Sequence, residues 1–435
     1  MHRALIVCFA IFRSAMAATD RAPYWPEELA ATALHAYMDR ILATKIETSV
    51  KCRYVRASMP PRGRPISQST KGGEEEAMKR LCLPLGCSFL GVLILCAVFA
   101  LAQPLAAAPQ QPSQKEMMRY TVHTLPLPDN NTGNVSMDYI TYDPGTNSVW
   151  VPGGNTGAVD VVDAATGKVR QIPGFPTREV EFRGGKRVLG PTAVSVGEGV
   201  VYIGNRGDST VCAFDAKSLA KGACAHLDAT PDGVCYVAPT NEVWVTTPSD
   251  KSIIMLDAKT LEQKAKLTFE GNPEGYAVDA ERDRFYTNME DKDQTLAIDL
   301  KTHKTVATWM PNCGTEGPHG LGLDNPNGHL FVACSTLAEV LDVGHDGAIL
   351  SKVDTGDGVD DIHYVPATHL LYVGAARAAK LTVARADSAG HLTVVAQVPT
   401  QAGARNCAVS KDGTVFLAHG GGTQLAALVV ASPGK

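Results

Sequence analysis

The chain has 435 residues, 20% charged and 45% hydrophobic, with a formal net charge of −5, a globular composition with material for a large core. The charge is uneven: residues 1–102 hold 13 of the 40 lysines and arginines and 8 of the 45 acids, leaving 27 basic against 37 acidic residues beyond them. A body with that excess of negative charge repels phosphate backbones, which argues against a nucleic-acid partner.

Residues 1–77 do not share the pattern of the rest. Pro60-Pro61-Arg62-Gly63-Arg64-Pro65 has the composition of disordered chain, and nothing before Met78 repeats later. Gly72-Gly73-Glu74-Glu75-Glu76 is what a purine-rich ribosome-binding site would encode just ahead of a start at Met78. Residues 1–77 are therefore expected to be translated upstream sequence or disordered chain. Met78-Lys79-Arg80, the apolar run from Leu81 to Ala100 and the small-x-small triplet Ala100-Leu101-Ala102 form the three parts of a secretory signal over 78–102. Left uncleaved, the 22 residues Leu81 to Ala102 would instead serve as a membrane anchor. In both cases the basic residues stay on the cytoplasmic side, so residues 103–435 are expected in the periplasm or outside the cell.

Six of the 11 cysteines lie in that part, namely Cys212, Cys224, Cys235, Cys313, Cys334 and Cys407, with no Cys-x-x-Cys among them. An oxidising compartment permits disulfides. Cys212 and Cys224 flank the hairpin from Ala213 to Ala223, and Cys313 and Cys334 are both expected on one face of the fifth repeat described next. These are the two pairings expected.

Tyr120-Thr121-Val122-His123-Thr124-Leu125 is a lone β-like strand. After it come seven short strands centred on an aromatic residue: Val149-Trp150-Val151, Val201-Tyr202-Ile203, Val243-Trp244-Val245, Phe285-Tyr286-Thr287, Leu330-Phe331-Val332, Leu371-Tyr372-Val373 and Val415-Phe416-Leu417. The aromatic residues are spaced by 52, 42, 42, 45, 41 and 44 residues. Each is preceded by another β-like run, such as Tyr276-Ala277-Val278, and followed by a strand ending in Asp and a turn, as at Phe214-Asp215-Ala216-Lys217. A period near 40–45 residues with several short strands per unit marks a propeller blade. One such sheet cannot bury both faces, whereas seven stacked around an axis can. The fold class expected is all-β: a seven-bladed β-propeller of four-stranded antiparallel blades. The last repeat lacks an outer strand, and 120–125 is expected to supply it and close the ring. The segment from Pro173 to Gly190, which stretches the first spacing, reads as a charged loop.

Val149-Trp150-Val151-Pro152-Gly153-Gly154-Asn155 and Val201-Tyr202-Ile203-Gly204-Asn205 resemble the Tyr-Val-Thr-Asn strand of the YVTN-repeat propellers, and the Asp-Ala-x-Thr turns match that family too. The resemblance covers repeats 1–4 and, more loosely, 5–7. It implies the fold and no single reaction.

Aligning the repeats on their aromatic strands superposes one position at the start of each innermost strand. It holds Asp138, Asp232, Glu274, His319, Asp360 and Arg405, with Pro191-Thr192 in repeat 2. A wet channel lined by polar groups accounts for one such match; six in phase point to a ligand or ion site at the channel mouth. Two carboxylates ~10 Å apart repel by about 1.7 kcal/mol at an effective dielectric of ~20, so Arg405, a protonated His319 or a bound cation is needed for balance. Oxygen ligands would take Ca²⁺ or Mg²⁺, and a histidine among them Zn²⁺ or Mn²⁺. Asp138, Asp232, Glu274 and Asp360 are the candidate metal ligands. Arg405, His319, Asn155, Asn205 and Asn288, the last three at the ends of second strands, are the candidates for binding a small polar molecule.

Pro231-Asp232-Gly233 followed by Val243-Trp244-Val245 also resembles the gluconolactonase/senescence-marker-protein propellers. That resemblance implies a divalent metal held by Asp232, with Asp138, Glu274 and Asp360 as partners, polarising a lactone carbonyl; the family's early Glu-Gly-Pro-x-Trp is absent here. Two functions are thus expected. One is an exported binding propeller for a small polar molecule, a cation or another exported protein. The other is a metal-dependent lactonase or esterase, with Glu274 or Asp360 as general base and His319 beside them. No Gly-x-Ser-x-Gly, His-Glu-x-x-His or phosphate loop occurs. His329, His369 and His391 are expected in solvated turns, and Cys235 and Cys407 as small hydrophobes on inner strands.

Overall fold

The computed structural model describes residues 117–128, 134–182, 185–421 and 425–434, all within the compact unit Ala107–Lys435. The signal or anchor expected over 78–102 and the segment 1–77 lie outside the described residues. Among those described, no helix is long and apolar enough to cross a membrane.

Seven four-stranded antiparallel sheets form a ring. Blades 1 to 6 occupy residues 141–172, 191–226, 234–268, 273–309, 318–354 and 359–399, each in simple meander order from the axis outward. Blade 7 takes three strands from 404–433 and its outer strand from the other end of the chain. There Tyr120–Pro126 pairs antiparallel with Ala427–Pro433, Tyr120 opposite Pro433 and Pro126 opposite Ala427. The lone N-terminal strand closes the ring, as the sequence leads one to expect.

The repeated aromatics hold the blades together. Trp150, Tyr202, Trp244, Tyr286, Phe331, Tyr372 and Phe416 are each at most 3% exposed. They sit on second strands, which have sheet neighbours on both sides and adjacent blades on both faces. Trp244 of blade 3 meets Phe285 of blade 4 with ring centroids 4.6 Å apart. The Tyr202 hydroxyl of blade 2 donates to the carbonyl of Ala258 in blade 3, 2.9 Å away. Burying one such ring contributes roughly 1.5–3 kcal/mol.

The Asp that ends the third strand has a local reason. The Asp163 carboxylate accepts the amides of Ala165 (3.1 Å) and Thr166 (2.8 Å) and the Thr166 hydroxyl (2.8 Å). Asp215 with Ser218, Asp257 with Thr260 and Asp299 with Thr302 repeat this turn. Bonds from the residue three positions on hold all four carboxyls below their usual range. An Asx turn of this kind lets the next residue take positive φ, and it does so at Gly167, Leu219, Leu261 and His303.

Both expected disulfides form. Cys212 lies opposite Cys224 in the antiparallel pairing with Cα atoms 4.1 Å apart, and the Cys313 and Cys334 Cα atoms are 5.1 Å apart. Cys235 and Cys407 are free and buried.

Two local expectations need correction. The segment from Pro173 to Gly190 is not a loop: Arg178–Phe182 pairs with Gly185–Leu189 as a hairpin inserted between blades 1 and 2. Its Arg-Glu-Val-Glu alternation is strand-like, and its charge density hid this. His329 is not solvated either. It starts the second strand of blade 5 and is only 4% exposed. The turn before it is covered from blade 4, where Arg282 donates to the Asn325 carbonyl at 2.8 Å. His369 and His391 are exposed, as expected.

Candidate functional site

In blades 4 to 7 the ladder breaks at the start of the inner strand. Register shifts fall between Pro273 and Tyr276, Pro318 and Leu321, Val359 and Ile362, and Arg405 and Cys407. A bulge re-aims the side chains beside it, here those of Glu274, His319, Asp360 and Arg405. The glycine of each Pro-x-Gly lets neighbouring blades approach at the axis. A methyl group on Gly275 would stand 2.5 Å from the Gly320 Cα, and one on Gly320 would stand 2.6 Å from the Asp361 Cα. Backbone on both sides cannot yield as a flexible side chain would. Gly320→Ala is therefore expected to lower stability by about 1–3 kcal/mol, measurable by denaturant titration; an unchanged midpoint would mean that the ring is not close-packed there.

Five of the six phased polar residues, Asp138, Asp232, Glu274, Asp360 and Arg405, cluster at one end of the axis. Arg206 ties blade 1 to blade 3: its guanidinium lies 3.2 Å from Asp138 Oδ2 and is also ion-paired with Asp232 Oδ1. Arg405 pairs with Asp360 at 2.9 Å. Asn406, 1% exposed and at φ 46°, donates to Asp360 Oδ2 (3.0 Å) and Asp138 Oδ1 (3.3 Å) and accepts the Asp361 amide (3.0 Å). The Tyr139 hydroxyl donates to Glu274 Oε1 at 3.4 Å. His319 stands aside, with Nδ1 3.5 Å from Glu290 Oε1.

Arg206 and Asn406 are the residues that sequence reasoning missed. Each follows immediately a position that it singled out, Asn205 and Arg405. Repeat 2, which lacks an acid in the phased position, supplies a cation from the end of its second strand instead.

Burial without enough positive charge raises the carboxyls that remain. Glu274 is held well above the usual range, first by burial and then by Asp138 and Asp360. Burial pushes Asp361 up to about 7, against a hydrogen bond from the Ile362 amide and helped by Asp360 and Asp138. Burial alone pushes His363 down to about 4. Asp361 and His363 line a chamber of about 190 Å³ along the axis, together with Tyr139, Tyr276 and Cys407. The two tyrosine rings stack there, 5.7 Å apart.

Above the ring the mouth opens into a larger cavity, about 740 Å³, between the inserted hairpin and blade 7. Its lining includes Ser136, Asn155, Lys186, Arg187 and Arg405, with no carboxylate among the described lining residues. Arg187 reaches Ser136 Oγ at 3.2 Å, and Lys186 pairs with Glu179 at 2.6 Å on the hairpin's exposed side.

The three candidate asparagines do not present free amides. Asn155 lines the cavity but accepts the Ser136 amide and donates to the Asn134 carbonyl, both at 3.0 Å. Asn205 is buried on Pro176, Gly207 and Asp208, and Asn288 on His319 and Thr295. The metal reading meets a similar obstacle. A cation needs several oxygens aimed at one point. Arg206 pairs with Asp138 and Asp232 and Arg405 with Asp360, while burial and the neighbouring acids raise the Glu274 carboxyl and disfavour its charged form. Among the described residues, only Cys313, Cys334 and Glu339 bring three ligand atoms within 4.8 Å of one another. As arranged, the four acids do not fit a metal centre.

No family model matches the chain and no curated protein is similar to it. Solved structures are similar at low identity. The streptogramin B lyase shares 14% identity at a TM-score of 0.57, over 74% of this chain and 100% of that one. A chain of the mitotic checkpoint complex shares 15% at 0.55, over 75% and 98%. The WD40 repeats of RRP9 share 9% at 0.57, over 75% and 99%. Proteins of such different description have an architecture in common and little else, so what the likeness shows of this chain is its fold, a seven-bladed β-propeller.

Proposed function

We propose that this protein is an exported binding propeller that takes a small anionic polar molecule, such as a carboxylate, at the mouth of its axial channel. The observation that carries the reading is the 740 Å³ cavity, edged by Lys186, Arg187 and Arg405 and without a described carboxylate, in a body whose net charge is otherwise negative. Arg405 spends one donor on Asp360, and a guanidinium has five. Charge-assisted bonds to a bound carboxylate are worth about 1.5–3 kcal/mol each. The signal-like segment at 78–102 and the two disulfides support export, and the Asp-Ala-x-Thr turns support kinship with the YVTN-repeat propellers.

The test is a panel of small carboxylates, ranked by thermal shift and then titrated calorimetrically into the purified protein. Arg187→Ala and Arg405→Ala are each expected to weaken the best ligand by about 10- to 100-fold. Equal affinity in both variants would remove the cavity from the reading.

A second reading is an enzyme in which Glu274 gives up a proton. It is favoured by that carboxyl's confinement beside Tyr139, Asp138 and Asp360, the pattern by which a buried acid stays protonated at neutral pH. Glu274→Gln separates the two readings: a binder keeps its affinity, since glutamine matches the neutral acid in shape, whereas an enzyme loses turnover.

A further inference from the structure

We propose that the Cys313–Cys334 disulfide covers a latent zinc site, which forms with Glu339 when the bond is reduced. The sulfurs of Cys313 and Cys334 and a carboxylate oxygen of Glu339 all lie within 4.8 Å of one another. Glu339 sits on the third strand of blade 5, opposite Val332 of the strand that ends in Cys334. It is fully buried, an unusual place for a carboxylate. Oε2 is ion-paired with Lys352 Nζ at 2.8 Å, while Oε1 has no hydrogen-bond partner among the described residues. A buried, half-satisfied acid beside two sulfurs is costly as a structural choice and is explained by a ligand role.

Two further features suit a metal. The loop carrying Cys313 does not depend on the disulfide for its position: Asp293 accepts the amides of Cys313 and Gly314, both at 3.0 Å. Opening the bond therefore leaves the sulfur near its partner. Cys313 is also partly exposed while Cys334 is buried, so a reductant and an ion have one route in and solvent can fill a fourth position.

In the step itself, a dithiol reductant gives two electrons to the disulfide and closes to its own disulfide. Its two protons end on the Cys313 and Cys334 sulfurs. Metal binding expels both protons to solvent, because only thiolates ligate. Two thiolates and one carboxylate suit Zn²⁺ or Co²⁺ rather than Ca²⁺ or Mg²⁺. The Lys352 ammonium, on a side chain 42% exposed, moves into solvent when the ion replaces it.

The test titrates Co²⁺ into the purified protein, oxidised and after reduction with a phosphine followed by anaerobic desalting. The reduced protein is expected to bind one equivalent with a sulfur-to-cobalt charge-transfer band that Zn²⁺ abolishes, and the oxidised protein to show none. Glu339→Gln should weaken binding about 10- to 100-fold, and the Cys212→Ser/Cys224→Ser variant should keep the band. Absence of the band in reduced protein, or undiminished affinity in Glu339→Gln, overturns the proposal. Should a variant fail to fold, alkylation of the wild-type protein decides the matter: Zn²⁺ is expected to protect Cys313 and Cys334 after reduction, and equal labelling with and without Zn²⁺ counts against the site.

Discussion

Arg206→Met is expected to destabilise the propeller by about 3–5 kcal/mol, the cost of breaking a buried ion pair from one side. The Arg206 side chain is 16% exposed and faces Asp138 at 19% and Asp232 at 7%. Without the guanidinium two carboxylates of different blades face one another with little water to screen them, and Glu274, whose proton Arg206 opposes, is raised further. Because the pair bridges blades 1 and 3, the loss acts on the closed ring and not on one sheet. Urea unfolding at neutral pH measures it. Adding Asp138→Asn and Asp232→Asn to the methionine variant should restore most of the stability, since the uncompensated charges go with the acids. A loss below about 1 kcal/mol would put the pair among weak surface salt bridges and remove its bridging role.

The second expectation is that stability falls as pH rises through neutrality, and that Asp361 is a main cause. In the folded protein Asp361 keeps its proton up to about pH 7, whereas its unfolded value is 3.8. Between those values the native state binds the extra proton, so stability declines with rising pH. Glu274 acts in the same direction, its folded value being raised above 4.5. His363 opposes both: its folded value of about 4 lies below 6.5, so its contribution grows as pH rises through that window. From about pH 6.5 upward the histidine no longer compensates. Asp361→Asn, which carries no charge to bury, should gain on the wild type by about 2–4 kcal/mol between pH 4 and pH 8. Chemical denaturation of both proteins at the two pH values reads this difference directly, and parallel behaviour would mean that water reaches Asp361 freely.

The clustering of Asp138, Asp232, Glu274, Asp360 and Arg405 was legible from blade phase, because equivalent positions of a rotational repeat must form a ring; His319, equally in phase, turns to Glu290 instead. What the phase could not supply was the partner of each acid. Arg206 is one residue past a strand end and Asn406 one residue past Arg405, and neither falls in the phased position. Asn155, Asn205 and Asn288 show the converse. A polar residue at a strand end is equally able to cap its own turn, and the choice depends on which backbone groups the neighbouring blade leaves unpaired. The hairpin at 178–189 was hidden for a different reason: the charges of Arg178, Glu179, Glu181, Lys186 and Arg187 mask a short polar/apolar alternation, yet it forms one wall of the cavity.

By itself the sequence determined the all-β class, the seven blades, the closing strand and both disulfides. These follow from periods, turn chemistry and proximity along the chain or across a register that the repeat sets. Only the tertiary structure decided how the axial charges are balanced and where the mouth opens, because burial and electrostatic pairing depend on distances between blades far apart in the chain, as with Arg206 to Asp138, 68 residues apart, and Asn406 to Asp138, 268 residues apart. No local pattern encodes those distances; closing the ring creates them.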